Sequence, residues 1–265
     1  MDYNASITMK KYLVHLLAGL LMASASYAQT NSTLSISVGA ASPYGDFGST
    51  DIKNPLSGAA KLGATLDISY AYKITKILGI TGLVRTQMNA TNTDVLANEL
   101  KTQAGDNRKM ESTSWLSGSA LVGWTFGIPI TENFSIETRA MMGYSRIASP
   151  KVTISNDSGY TFTHTSSTGA FSYLLGGGLK YNLSERLCVM ANVDYFNAYA
   201  EFREVDVTIT GPADPLLPST QTGFAFIDNL PLDKLDKRKL SDLEKRNFVQ
   251  SVETLNVTVG VGLRF

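Results

Sequence analysis

The sequence has little cysteine, little histidine and little charge. Its 265 residues include one cysteine, Cys188, and two histidines. A single cysteine excludes an intramolecular disulfide and any metal cluster built from several cysteines. Charged residues make up 17% of the chain, and 23 basic residues balance 23 acidic ones. A balanced chain lacks the basic stripe that neutralises nucleic-acid phosphates, so no nucleic-acid partner is predicted.

Long apolar runs are also missing. After residue 28 no stretch offers about 18 uninterrupted apolar residues, which excludes a protein that crosses the membrane with helices. Hydrophobic residues nevertheless make up 43% of the chain, too many for a disordered protein. The mean hydropathy of −0.01 is ordinary for a soluble protein. It is equally compatible with a membrane β-barrel, in which apolar and polar residues alternate.

The start of the chain has the three parts of a secretory signal peptide. Residues 9–28 begin with a basic pair, continue as a short apolar stretch and end in Ser-Tyr-Ala, with small residues at the positions that determine cleavage. We predict cleavage between Ala28 and Gln29, so that residues 1–28 are the signal peptide and residues 29–265 form one domain. An N-terminal membrane anchor is the alternative, but the apolar stretch is short for a span.

The last eleven residues, LNVTVGVGLRF, alternate strictly between apolar side chains and polar or very small ones. Such an alternation places every second side chain on the same face of a β-strand. The same pattern recurs seven times upstream, in clearer and weaker copies. The predicted strands lie near residues 33–41, 60–73, 77–88, 112–126, 134–147, 168–182, 187–202 and 250–265.

The connections between these strands are short and long in turn. A few residues join the second strand to the third, the fourth to the fifth and the sixth to the seventh. The other connections span residues 42–59, 89–111, 148–167 and 203–249. This arrangement is typical of outer-membrane barrels. The predicted fold is therefore all-β: an eight-stranded antiparallel up-and-down transmembrane β-barrel with short periplasmic turns and long extracellular loops.

A soluble β-sandwich or ligand-binding barrel is the alternative fold. Those proteins turn the apolar face inward and expose a charged face to water. Here the second face is mainly Gly, Ser, Thr and Ala, which suits a narrow polar lumen better. Aromatic residues also gather near the strand ends, as expected where rings meet lipid headgroups. They are Tyr72, Trp124, Phe126, Phe134, Tyr181 and Phe265 on the turn side, and Tyr144, Phe171 and Tyr195 near the loops.

The leader, the eight alternating strands, the short turns and the final Val-Gly-Leu-Arg-Phe together resemble the small outer-membrane β-barrel proteins of the OmpA-barrel and OmpX-like type. The segment PYGDFG at residues 43–48 resembles a recurrent feature of this group. Terminal Phe265, preceded at every second position by Leu263 and Val261, resembles the signal read by the barrel-assembly machinery. The resemblance implies residence in the outer membrane of a Gram-negative bacterium.

The same resemblance implies a set of partners. These are outer-membrane lipid and lipopolysaccharide in the mature protein, and periplasmic chaperones and the assembly machinery during biogenesis. An extracellular partner that contacts the long loops is a further expectation.

Five charged residues fall on the predicted inward face of the strands. The interior of an eight-stranded barrel is just wide enough for side chains to fill, and a buried charge must be paired to be tolerated. We predict that three acids and two bases pair across the lumen as a structural plug. The alternative is a gate that opens for ions. The five residues are Asp67, Arg85, Glu137, Arg139 and Asp194.

No catalytic residue, cofactor or metal is predicted. The one histidine after the leader, His164, lies in a Ser/Thr-rich segment where nearby hydroxyls are expected by chance, so no hydrolytic triad is inferred. Cys188 falls on the inward face of its strand, which favours a buried, inert thiol. The sequence contains neither metal-spaced histidines nor a phosphate-binding glycine motif.

The last loop is the unusual part of the sequence. Residues 211–219 contain three prolines, which predicts an irregular, partly extended stretch, and residues 233–246 contain six basic and four acidic side chains. Leucines spaced by three and five residues favour a one-sided helix over residues 229–247. It is either a solvated helix over the barrel mouth or an element that contacts a partner or lipopolysaccharide. Its basic residues Lys237, Arg238, Lys239, Lys245 and Arg246 would attract surface phosphates.

These observations predict an integral outer-membrane barrel without enzymatic activity, with a structural or surface-interaction role carried by its long extracellular loops. A small-solute or ion pore is the first alternative. A lipid-modifying barrel enzyme is the second.

Overall fold

The fold is described by a computed structural model, which covers residues 31–51, 54, 56–94, 109–155, 161–202, 206–210 and 248–265. The predicted signal peptide and the predicted helix over residues 229–247 lie outside the described residues. Within the described ranges, no helix has both the length and the apolar character needed to cross a membrane.

Strands account for nearly all of the described chain. In chain order they are β1 (Ser32–Pro43), β2 (Ala60–Lys73), β3 (Leu78–Thr91), β4 (Lys109–Ser112), β5 (Trp115–Pro129), β6 (Phe134–Ala148), β7 (Val152–Ser155), β8 (Thr161–Thr165), β9 (Ser167–Asn182), β10 (Leu187–Phe202), β11 (Asp206–Thr210) and β12 (Phe248–Arg264). A single helical turn, α1 (Gly45–Gly48), follows β1.

Eight of these strands close into one antiparallel barrel in the order β1-β12-β10-β9-β6-β5-β3-β2. This confirms the predicted eight-stranded up-and-down barrel. The ring is closed by the first and last strands, where Val38 lies opposite Val259. At the turn end, the Phe265 N–H donates to the Ser32 carbonyl at 2.9 Å. Closure pairs the backbone groups that an open sheet edge would leave exposed, a condition for crossing a membrane with strands.

The barrel wall is apolar outside and polar inside. Val259 exposes 60% of its surface and Val38 55%, whereas their inward neighbours Thr258 and Ser37 are buried. Soluble barrels have the opposite arrangement, so the soluble alternative is excluded. Aromatic rings such as Trp124 near the turns are exposed on the outer wall, where a membrane's headgroup regions would meet them.

In the described residues, three of the four long connections contain additional strands. The four short strands β4, β7, β8 and β11 form a separate antiparallel sheet in the order β11-β8-β7-β4. They lie next in sequence to β5, β6, β9 and β10, so the second sheet extends that side of the wall beyond the barrel. These segments were predicted as plain loops. Strands of four or five residues are too short for a period-two pattern to stand out.

Close approach of neighbouring strands requires glycine at several inward positions. A Cβ on Gly143 would overlap the Ala120 carbonyl oxygen across the strand pair, and a Cβ on Gly123 would overlap that of Ala140. Both neighbours are backbone atoms, which cannot rotate away. By contrast, Gly82 faces outward and has nothing within 4 Å of its added Cβ. The inward glycines therefore allow the tight curvature of the wall.

This contrast generates a stability prediction. Gly143→Ala should destabilise the folded barrel by about 2 kcal/mol or more, because the added methyl group overpacks against backbone. Gly82→Ala, the matched control on the open outer face, should leave stability nearly unchanged. Guanidinium unfolding in detergent micelles measures both, with heat-modifiable gel mobility as the check on folding. Equal stability of the two variants would contradict the close-approach argument.

Candidate functional site in the barrel lumen

A buried ion-pair cluster, which we call the charge cluster, lies inside the barrel. Asp67 on β2 and Arg85 on β3 occupy directly paired positions. Arg85 Nε donates to Asp67 Oδ1 at 2.8 Å, and Arg85 Nη2 donates to Asp67 Oδ2 at 2.6 Å. The same Nη2 atom donates to Asp194 Oδ2 at 2.8 Å. Arg85 therefore joins two carboxylates from opposite parts of the wall.

Arg139 completes the cluster from β6. Its Nε and Nη2 atoms donate to the two Asp194 oxygens at 2.8 and 2.5 Å, in a bidentate arrangement. Arg139 Nη2 also lies 4.0 Å from Asp67 Oδ2. Two positive and two negative side chains thus meet with no net charge. Their exposed fractions are between 0% and 11%, so each charge depends on its partners rather than on water.

A glycine makes room for this arrangement. Arg139, Gly176 and Asp194 occupy one row of paired positions on β6, β9 and β10. A Cβ on Gly176 would overlap Asp194 Oδ1. The absence of a side chain between the arginine and the aspartate therefore allows them to meet across β9.

Glu137 is not brought into the charge cluster. It lies nearer the turn end of β6, where its Oε1 is 3.5 Å from Lys180 Nζ. The structure thus brings together four of the five predicted lumen charges and pairs the fifth with another residue. Lys180 is not among the predicted lumen charges, although it shares the inward parity of Gly176 and Gly178 on β9, and that parity was the available signal.

Above the charge cluster, towards the long loops, uncharged polar side chains fill the lumen. Gln87 accepts a hydrogen bond from Thr254 Oγ1 at 3.1 Å and donates to Asn89 Oδ1 at 2.9 Å. Asn89 in turn donates to the Ala41 carbonyl at 2.9 Å. The Ser145 hydroxyl bonds to those of two neighbouring serines at 2.7 and 2.8 Å. Hydrogen-bonded side chains occupy this level.

The loop end of the lumen is closed by an aromatic group, which we call the aromatic plug. Phe47 of α1 packs edge-on against Trp115, with ring centroids 5.6 Å apart, and Trp115 packs against Phe202 at 6.2 Å. All three residues are buried. Trp115 Nε1 donates to the Gly58 carbonyl at 2.9 Å, which holds the connection between β1 and β2 over the mouth. This plug was not predicted.

The other predicted residues do not join the charge cluster. Val261 and Leu263 face outward and are about half exposed, while Phe265 pairs with β1 through its backbone. Cys188 is buried, with Sγ 3.5 Å from the Gly262 carbonyl oxygen. His164 belongs to β8 in the second sheet. Its backbone lies opposite that of Val152.

Two further predictions concern a metal and the last loop. In the part of the chain that the structure describes, no group of three His, Cys, Asp or Glu residues is placed to hold a metal ion. The predicted basic residues Lys237, Arg238, Lys239, Lys245 and Arg246 lie outside the described residues.

A closed barrel that is apolar outside and filled with polar side chains inside defines an integral protein of the outer-membrane barrel class. The sequence agrees with this geometry. Residues 13–211 match the outer membrane protein beta-barrel domain family, and the chain belongs to that family. It is therefore a protein of the outer membrane.

Several solved structures are similar to this chain. The attachment invasion locus protein Ail of Yersinia pestis is 16% identical, with a TM-score of 0.40 over 89% of this chain and 99% of Ail. A major outer membrane protein of Thermus thermophilus is 11% identical, with a TM-score of 0.47 over 88% and 99%. The outer membrane protease OmpT of Escherichia coli is 8% identical, with a TM-score of 0.48 over 91% and 98%. No functionally curated protein sequence matches the chain.

The charge cluster generates the second prediction. Asp194→Asn should lower the free energy of unfolding by about 3 kcal/mol or more, because it leaves buried Arg139 without its bidentate partner. Asp94→Asn is the matched control. It removes an exposed pair with Lys61 at 3.4 Å and should cost less than about 1 kcal/mol. Denaturant unfolding in micelles, followed by tryptophan fluorescence, compares them. A loss for Asp194→Asn as small as the control's would show that the cluster contributes little.

Proposed function

We propose that the protein is a non-enzymatic structural or surface-interaction protein that presents its extracellular segments from a closed barrel. The observation that carries this proposal is the filling of the lumen at successive levels. The charge cluster, the polar layer of Gln87 and Asn89, and the aromatic plug follow one another along the barrel interior. A passage for solutes would require all three to rearrange.

The second sheet supports the same role. Its strands extend the wall formed by β5, β6, β9 and β10 on the side of the long loops, which face outside the cell in this class. The Thr113 N–H donates to the Lys151 carbonyl at 3.0 Å, which continues the pairing of β5 with β6 into that of β4 with β7. The extension is therefore a hydrogen-bonded β-sheet, which is suited to presenting a surface to a partner.

The closed lumen generates a conductance prediction. Purified, refolded protein in planar bilayers should show no large, stable single-channel current, because Arg85 and Arg139 are held by bidentate pairs and the mouth is covered by Phe47. A general porin reconstituted in the same bilayers serves as the positive control. Sustained currents of porin size would contradict the proposal and favour the pore alternative.

We also propose that the basic residues of the last loop contact lipopolysaccharide. The support comes from the sequence: residues 233–246 carry an excess of two positive charges, and the phosphates of lipopolysaccharide offer a dense negative surface. Attraction of this kind steers a charged segment to its partner and weakens as salt rises.

Charge reversal tests this contact. Replacing Lys237, Arg238, Lys239, Lys245 and Arg246 by Glu should weaken binding to immobilised lipopolysaccharide by about ten-fold or more at low salt. The matched control reverses the four acids of the same segment to Lys and should bind at least as well as the wild type. The four acids are Asp233, Asp236, Asp242 and Glu244. Unchanged binding after reversal of the basic residues would eliminate them as the contact.

A further inference from the structure

A cavity of about 50 Å³ opens at the turn end of the lumen, below the charge cluster. Its charged lining consists of Lys73, Lys76, Arg139, Lys180 and Glu137. Hydroxyl groups from Thr33, Ser35, Ser69, Thr81 and Thr125 line it as well. Because Lys76 lies in the turn between β2 and β3, the cavity faces the periplasmic side of the barrel. We call it the turn-end cavity.

The ammonium group of Lys180 is buried there and has two partners, both at long hydrogen-bonding distances. Lys180 is 5% exposed. Its Nζ atom lies 3.5 Å from Glu137 Oε1 and 3.3 Å from Thr33 Oγ1. An ammonium group has three donors, and charge-assisted N–H···O bonds are ordinarily about 2.7–2.9 Å long. Both contacts are longer, so the protein satisfies this buried charge only in part.

The cavity lining contains one carboxylate, that of Glu137. Against it stand four positive side chains, those of Lys73, Lys76, Arg139 and Lys180. Arg139 cannot relieve the imbalance with Asp194, because those two groups already pair with each other. Buried Lys180, with Lys73 and Lys76 on the solvent-exposed rim, therefore faces one carboxylate in a small cavity of mixed polar and apolar lining. This arrangement attracts an anion.

We propose that the turn-end cavity binds one small inorganic oxyanion, phosphate or sulfate, from the periplasmic side. Lys180 is the principal ligand, Lys73 supplies a second positive charge, and the Thr33 hydroxyl donates a hydrogen bond. A water needs about 10–15 Å³, so a cavity of about 50 Å³ has room for about three to five water-sized oxygens. A tetrahedral oxyanion has four. This inference goes beyond the surface role proposed above and does not depend on it.

Calorimetric titration of the refolded, full-length mature barrel with inorganic phosphate, in an uncharged detergent at low salt, tests the proposal. The expected result is saturable binding of one phosphate per chain. Lys180→Gln should weaken it by about ten-fold or more, since a hydrogen bond to a charged group is lost, and Lys73→Gln should weaken it less. Lys151→Gln, an exposed residue at the opposite end of the barrel, is the matched control and should bind as the wild type does.

Glu137→Gln gives an independent test in the opposite direction. Removing the carboxylate that competes for Lys180 should tighten phosphate binding several-fold. If Lys180→Gln fails the heat-modifiability check for folding, the Glu137→Gln and Lys73→Gln results decide. Sulfate should displace phosphate, and chloride at equal ionic strength should not. Absence of saturable binding, wild-type affinity in a folded Lys180→Gln, no tightening in Glu137→Gln, or equal displacement by chloride would each overturn the proposal.

Discussion

Closing eight strands into a ring leaves an interior that side chains alone can fill, and the other features of this barrel follow from that narrow bore. Inward positions where strands approach closely are held by glycine, as at Gly123 and Gly143. Charged groups inside have too little water to screen them, so Arg85 lies between Asp67 and Asp194 at hydrogen-bonding distance. The backbone of the wall and the side chains inside it therefore constrain each other. Gly176 has no side chain, and Asp194 Oδ1 occupies the space that a Cβ there would take.

The two ends of the lumen differ in kind. At the loop end, Phe47 and Trp115 pack in an apolar contact, and Trp115 also ties the covering segment down by a hydrogen bond. At the turn end, the charged side chains of Lys180 and Glu137 line a small cavity that opens on the periplasmic side. An apolar plug excludes water and ions, whereas an open cavity with charged side chains admits them. The interior therefore communicates with the periplasmic side more readily than with the outside, and its surplus positive charge lies at the accessible end.

The barrel was predictable because its strands are long. β12 spans 17 residues, which gives enough alternations to identify the strand and the face on which each side chain lies. On their own strands, the alternation likewise marks Asp67 and Asp194 as inward. Parity does not give the height of a residue in the barrel. The height depends on strand tilt and on the register between strands. Glu137, for example, lies opposite Gly178 and not in the row that contains Asp194. Phe47 belongs to the PYGDFG segment noted in the sequence, but its packing depends on a distant partner, Trp115, which that local motif does not identify.

Both the barrel and its extracellular extension are built from backbone ladders, but the ladder of the barrel closes into a ring. The barrel wall therefore has no open edge, and its outer face lies in lipid. The second sheet continues the hydrogen-bonded ladders of β5, β6, β9 and β10. In the described chain, the extension therefore covers only the half of the ring that these four strands form. The segment carrying Phe47 covers the mouth instead. As a result, the β-sheet extends beyond the membrane on one side of the barrel, and the mouth beside it is closed. A partner approaching from outside therefore meets a hydrogen-bonded sheet and not an entrance to the lumen.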